Sequence, residues 1–414
     1  MDKRKNKRLI LHIGMIKTGS TSIQHSLGTA REALFKHNIY YPSIQPYNHV
    51  FSFPPIFVDD PAKSFGFRRT LQPNEDKYEK AQNCRQVWIN EFETCQHDHF
   101  IISAEDLALP FFNKEAVRLA KEFVQPYFEE VTVIVYVRHY DTFIASHVQE
   151  VIKNGDLGTD IREVTQRFME CPPQFSYRKS IVKWIEVFGQ ENIVVRPFDS
   201  KAFYNGSLLA DFLHALGLPA DEISIPEFVT NVSLGKTAVS FINQFNHKYP
   251  LFTENGLNPD RGLAKHIFPF HLFQNIEDEK FRFDMVYTPE QAERFNEEID
   301  FANQFFTDGY QFQRVSPGTG EMKTPDADDI PVDFIIELVN NYNKRFEFFH
   351  DRIDTLQEQN EVFREQNKTL QDQIKYYQRI MDKTGLSFFL RNLQRLPFLR
   401  AVLHKITNYE SYEK

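Results

Sequence analysis

The sequence predicts an α/β fold: a three-layer arrangement of a parallel β-sheet with helices on both faces, followed by a long C-terminal coiled-coil helix. Two observations carry the prediction. Short, continuous apolar runs alternate with helical patterns through the first half of the chain, which is how strands buried on both faces read. From Val332 onward, apolar residues recur with a 3.5-residue period, the repeat that winds helices into a left-handed supercoil.

Taken in order, the first apolar run is residues 9–13 (LILHI), ending at Gly14. A helical pattern follows from Ser20 to about His37, with Ile23, Leu27, Ala30 and Leu34 on one face. The second run, Phe100 to Ser103, ends at Ala104-Glu105-Asp106, and the third, Val131 to Val137, is almost wholly β-branched and ends at Arg138. A fourth, Ile193 to Val195, leads into Arg196-Pro197. Helical segments are expected near 114–125, 141–153, 177–188 and 205–216. The stretch 218–314 reads as irregular and mostly helical, and the Pro, Gly and Asp of 315–331 read as a linker. The organisation is therefore a domain over 1–314, a linker over 315–331, a coiled coil over 332–382 and a tail over 383–414.

The coiled-coil reading places Val332, Val339, Phe346, Ile353, Asn360, Asn367, Ile374 and Met381 at a positions. It places Ile335, Tyr342, Phe349, Leu356, Phe363, Leu370 and Tyr377 at d positions. Asparagines at consecutive a positions cost stability but pair across a parallel dimer and fix its register. A homo-oligomer, with a parallel dimer favoured, is expected over a helix folded back on the domain. The tail mixes Phe and Leu with Arg391, Arg395, Arg400 and Lys405, and has no acid between Asp382 and Glu410. Such a segment suits peripheral contact with an anionic membrane surface; docking on protein is the alternative.

Composition narrows the function classes. A net charge of -9 argues against general nucleic-acid binding, which needs a net basic surface. The three cysteines, Cys84, Cys95 and Cys171, form no CxxC or Cys/His cluster, so reduced thiols, a cytoplasmic location and no metal site are expected. The basic start MDKRKNKR precedes an apolar run too short for a signal-peptide core, and no stretch approaches the ~20 apolar residues of a membrane span.

The chemistry concentrates in His12-Ile13-Gly14-Met15-Ile16-Lys17-Thr18-Gly19-Ser20-Thr21-Ser22. A strand, a glycine loop and a helix N-terminus make an anion site from backbone N–H groups and the helix dipole. Gly14 and Gly19 have the spacing of the triphosphate-binding pattern GxxxxGK(S/T), but Ser20 follows Gly19 and the lysine stands two places before it. A lysine earlier in the loop can approach the oxygen that bridges a 5′-phosphate to its transferable group.

These residues resemble the P-loop-like 5′-phosphosulfate loop, K-x-G-(S/T)-(S/T), of the sulfotransferases that use 3′-phosphoadenosine 5′-phosphosulfate (PAPS). Lys17, Gly19, Ser20 and Thr21 match it. The resemblance implies that Lys17 steadies the bridging oxygen of the leaving nucleotide, while Thr18, Gly19, Ser20, Thr21 and Ser22 hold its 5′-phosphate. The family's 3′-phosphate site, an Arg at the end of a buried strand and a Ser eight residues on, is matched by Arg138 and Ser146. A 3′-phosphate distinguishes PAPS from ordinary adenylates, and the planar guanidinium of Arg suits it. Looser matches are Asn192 to Asp199 and Asn231 to Leu234. The resemblance covers about residues 8–245 and lies nearest the carbohydrate-modifying bacterial branch.

It implies in-line sulfuryl transfer from PAPS to a hydroxyl of a glycan or glycoconjugate, without a metal. Two residues compete as base. Glu105 ends the strand before the Arg-bearing one, where the family carries a catalytic His or Glu. His49 lies after the first helix, where other members place an acceptor-side base. Glu105 ranks first; Ser103 is a further candidate contact to the transferred group. Two other functions compete: a kinase using a nucleoside triphosphate, with Phe100 to Asp106 as a magnesium-holding strand end, and an inactive sulfotransferase-like scaffold that oligomerises. A coiled coil followed by a basic tail suggests a place at the inner face of a membrane where linked glycans are assembled.

Overall fold

The computed structural model describes residues 7–44, 47–72, 74–154, 161–170, 173–223, 234–248, 285–307, 309–319 and 330–383, with short pieces between 250 and 281. It divides into two compact units, Met1–Phe334 and Ile335–Lys414.

The first unit is mixed α/β. Five strands, β1 (Arg8–His12), β2 (Ile39–Tyr40), β3 (His99–Ser103), β4 (Glu130–Val137) and β5 (Ile193–Pro197), form one sheet in the order β2-β3-β1-β4-β5. Every neighbouring pair is parallel, and β1 is flanked in register by β3 (Ile10 opposite Ile101) and β4 (Ile10 opposite Thr132). The helices are α1 (Ser20–Thr29), α2 (Arg31–Lys36), α3 (Phe65–Arg68), α4 (Lys77–Thr94), α5 (Lys114–Val124) and α6 (Tyr140–Asn154). There follow α7 (Ile161–Met169), α8 (Tyr177–Phe188), α9 (Leu208–Ala215), α10 (Lys236–Lys248) and α11 (Pro289–Asn303). A short antiparallel pair joins Phe252–Thr253 to Gly256–Leu257.

Side chains alternate across each strand, so the central strands supply both layers of core. On one face Ile10, Ile101, Ile134 and Tyr136 pack with Ile23 and Leu27 of α1, Leu34 of α2 and Phe212 of α9. On the other, Phe100 meets Trp88 and Phe92 of α4, and Phe112 stacks on Trp184 of α8. The helix after β1 and the helix α8 that leads back from β4 to β5 thus lie on opposite faces. Neighbouring strands whose chains leave in opposite directions open a crevice beyond their C-terminal ends. Gly14 to Ser20 and Arg138 both lie there.

Several local expectations change. The pattern over 20–37 is two helices, because Ala30 leaves helical geometry (φ -99°, ψ 16°) between α1 and α2. The helix expected from 205 begins at Leu208, where the Ser207 side chain accepts from the Ala210 amide. The two-residue strand β2, the 18-residue helix α4 and the short hairpin were not foreseen.

The second unit contains most of α12 (Val332–Lys383), 52 residues of continuous helix. The tail over 384–414 and the central linker residues lie outside the described residues. Among the described residues, no helix is long and apolar enough to cross a membrane.

Candidate functional site

The loop after β1 is tied to the sheet on both sides. Ile13 and Met15 donate to Ile134 and Tyr136 carbonyls, Tyr136 donates back to Gly14 (2.7 Å), and Ala104 donates to His12. Gly14 takes φ +107°, and a Cβ there would lie 3.1 Å from both Cα and Cβ of Glu105. The glycine therefore lets the loop run directly against the residue that ends β3. Gly19 takes φ +75°, and its Cβ would strike Leu208 Cδ2 and Phe198 Cε2 at 2.5 and 2.8 Å. Both glycines are required by close approach as well as by backbone angle.

Gly19 caps α1, whose first turn carries no acid. Helix geometry leaves the amides of the opening turn without intrahelical acceptors. Thr18 and Ser20 are buried, and both hydroxyls donate to the Met15 carbonyl, at 2.6 and 3.2 Å. Thr21 is exposed and Ser22 half-buried.

Lys17 sits at φ 61°, and its ammonium donates to Glu150 Oε2 at 3.2 Å. Glu150 lies on α6 four residues after Ser146, which itself lies four after Thr142. Residues at this spacing share one helix face, so Thr142, Ser146 and Glu150 run as a polar stripe along α6. Arg138 anchors the start of that stripe: its Nε donates to Thr142 Oγ1 (3.1 Å) and its Nη1 to the Lys17 carbonyl (3.2 Å). Residues 121 apart in sequence are thereby brought into direct contact.

The guanidinium also lies over the Phe198 ring, 5.4 Å from its centroid. Among the described residues no carboxylate forms an ion pair with Arg138. Loss of water lowers its pKa to about 10, which leaves it charged at neutral pH. Beside it opens a cavity of about 690 Å³ lined in part by Asp141, Phe198, Asp199, Lys201, Tyr310 and Phe312.

Glu105, across the loop, is half-buried. Gln24 of α1 donates to its Oε2 at 2.6 Å. Desolvation pushes its pKa up, against the hydrogen bonds of Gln24 and Asn48 and the charge of Lys17. Its neighbour Asp106, hydrogen-bonded by Ser64 Oγ, is raised to about 6, chiefly by burial and then by Glu105.

His49 is placed differently. It is fully buried between Tyr41 and Trp88. Its Nδ1 accepts from the Ser103 amide at 3.1 Å, and its Nε2 faces the Pro42 carbonyl at 3.4 Å. These partners fix one neutral tautomer, and desolvation lowers its pKa to about 3. The ring secures the end of β3 and does not face the loop. Ser103 is also turned inward, its hydroxyl 2.7 Å from Nδ1 of the buried His12.

The structure thus gathers Lys17 to Ser22, Glu105, Arg138 and the α6 stripe beyond the C-terminal ends of β1, β3 and β4, while the His49 ring and the Ser103 hydroxyl are turned into the core. Sequence reasoning missed Gln24 and Glu150. Both lie on the crevice-facing side of helices already recognised, but their partners are 81 and 133 residues away. Asn231 to Ser233 lie outside the described residues.

No protein-family model matches the chain. Among curated proteins, an uncharacterised protein of Archaeoglobus fulgidus is 25% identical over 119 residues, 29% of this chain. That match spans 31% of the archaeal protein, so the chain covers under a third of the relative's length. Among solved structures, the chain is similar to a sulfotransferase from Alicyclobacillus acidocaldarius, at 14% identity and TM-score 0.35, covering 58% of this chain and 92% of that one. It is also similar to the sulfotransferase domain of the Synechococcus PCC 7002 olefin synthase, at 11% identity and TM-score 0.29, covering 53% and 76%. Neither likeness reaches a TM-score of 0.5, and neither carries a conclusion about this chain's chemistry.

Proposed function

We propose that the chain is a sulfotransferase that moves a sulfuryl group from PAPS to a hydroxyl of a carbohydrate or glycoconjugate, in line and without a metal. One observation carries the reading: a desolvated guanidinium that forms no ion pair among the described residues, Arg138, donates to the backbone of a glycine loop that opens a helix. A partly desolvated cation with no ion-pair partner among the described residues is stabilised when a ligand supplies the charge. Here two anion sites adjoin, one of backbone amides and one of guanidinium, as a nucleotide with separate 5′- and 3′-phosphate groups requires. The cavity beside Arg138, walled by Phe198 and Phe312, has the size and aromatic lining of a nucleoside pocket.

In this reading, Glu105 accepts the acceptor hydroxyl's proton as that oxygen bonds to sulfur. The bond from sulfur to the bridging oxygen breaks, and adenosine 3′,5′-bisphosphate departs. Lys17, released from Glu150, donates to the departing oxygen, and Gln24 keeps the Glu105 carboxylate oriented. The raised pKa of Glu105 suits a base, because a stronger carboxylate base takes the proton more readily. The inward placement of His49 supports Glu105 over it. A location in the cytoplasm at the inner face of a membrane accords with this substrate class.

Calorimetry with adenosine 3′,5′-bisphosphate, AMP and ATP separates the donor classes. Tight binding of the bisphosphate alone supports the proposal; magnesium-dependent ATP binding in its place sinks it in favour of a kinase. Bisphosphate binding with no transfer to any member of a mass-spectrometric panel of glycan acceptors, PAPS being supplied, points to the inactive scaffold.

A further inference from the structure

A 52-residue helix spans ~78 Å, and α12 is one. Every side chain described between Asp351 and Tyr376 is exposed. Four of these are large apolar groups in the heptad seam: Ile353, Leu356, Phe363 and Leu370, at 52, 49, 64 and 53% exposure. A helix this polar gains little from its own chain in water, and the seam gives it a surface that requires a partner.

The residues around the seam say what the partner is. The flanking e and g positions are mostly uncharged: Gln357, Gln359, Gln366, Gln371 and Gln373, with Arg352 and Arg364 the exceptions over that stretch. Charge is carried on the outer b and f positions, by Glu358, Glu361, Glu365, Lys368, Asp372 and Lys375. A helix meant for a different chain commonly carries complementary charge at e and g to choose it. Glutamines there select nothing by charge, and they meet an identical copy without repulsion.

Orientation follows from Asn360 and Asn367, both exposed a-position residues. In a parallel, in-register pair each asparagine faces its own copy across the seam, and the two amides satisfy one another. In an antiparallel pair a positions face d positions, so the amides would meet apolar side chains and lose hydrogen bonds on burial. Two such residues, one heptad apart, penalise every register slip except one of zero.

We infer that α12 binds a second copy of this chain as a parallel, in-register, two-stranded coiled coil, with Asn360 and Asn367 each paired to itself across the seam. Two copies of the Met1–Phe334 unit are then tethered at the same end of the coil. The inference is independent of the proposed chemistry, since mass and nucleotide binding are read separately.

The test uses the full chain. Light scattering at micromolar concentration should return twice the chain mass of 48.9 kDa. Asn360→Cys places two thiols face to face, whereas Glu358→Cys places them on outer faces beyond disulfide reach. Under mild oxidation Asn360→Cys should give on the order of ten times more covalent dimer than Glu358→Cys. The wild-type chain, whose Cys84 and Cys95 are free thiols, sets the background. Both variant positions are exposed, so the fold is not at stake. The mass of one chain, or of three or more, would overturn the inference, as would equal cross-linking of the two variants.

Discussion

On the β3 side of the loop, the backbone and Cβ of Glu105 lie close against Gly14, and its carboxylate accepts from the Gln24 amide. On the β4 side, a guanidinium stands over an aromatic ring at the mouth of a cavity that Asp141 and Asp199 also line, and forms no ion pair among the described residues. The two sides share one loop and differ in what they leave unsatisfied. The first side leaves a proton acceptor whose pKa is raised by desolvation; the second leaves a positive charge. In the proposed function, bond-making falls to the narrow side and nucleotide holding to the wide one.

That division breaks if the two sides respond alike to mutation. Glu105→Gln should show the largest effect, lowering kcat by roughly 10² to 10⁴-fold, the range for loss of a general base. Bisphosphate affinity, by calorimetry, should stay as in the wild type. The wild-type rate should also rise with pH through a limb above the ordinary carboxylate range. The base works only when deprotonated, and burial shifts that step upward; a limb at the ordinary carboxylate pKa would remove Glu105 from the role. Lys17→Ala should come next, lowering kcat by ~10² to 10³-fold and weakening bisphosphate binding far less. Wild-type turnover in that variant would end the proposed mechanism.

Arg138→Ala should invert the pattern. Loss of charged hydrogen bonds of about 1.5–3 kcal/mol predicts ~10 to 100-fold weaker bisphosphate binding, with kcat at saturation affected less. The smallest effect is expected from Glu150→Gln, which removes the competitor for Lys17. A partly exposed ion pair contributes ~1 kcal/mol or less, so bisphosphate should bind a few-fold tighter. Weaker binding in Glu150→Gln would mean that Glu150 supports the site and does not compete with the ligand.

The sequence showed the sheet because its central strands are buried on both faces and so read as unbroken apolar runs, as Val131 to Val137 does. It hid β2, only two residues long, and α4, whose buried face is just Ala81, Trp88 and Phe92. The loop residues and Arg138 were legible because a strand end dictates where their backbone lies. His49 was ambiguous for the opposite reason. Nothing near it in sequence records that Trp88 of α4 and the Ser103 amide would enclose the ring. Gln24 and Glu150 became partners of Glu105 and Lys17 only once the strand order set α1 and α6 beside the same crevice. The long helix was the reverse case: its repeat is local, so pattern alone marked the helix.

The central claim is that Arg138 reads a 3′-phosphate beside the Lys17 loop. Its most direct test is to titrate the wild type and Arg138→Ala with adenosine 3′,5′-bisphosphate and with AMP, which lacks only the 3′-phosphate. The wild type should bind the bisphosphate at least ~10-fold tighter than AMP, and Arg138→Ala should lose that difference. Equal binding of the two nucleotides by the wild type, or discrimination retained in Arg138→Ala, would contradict the claim.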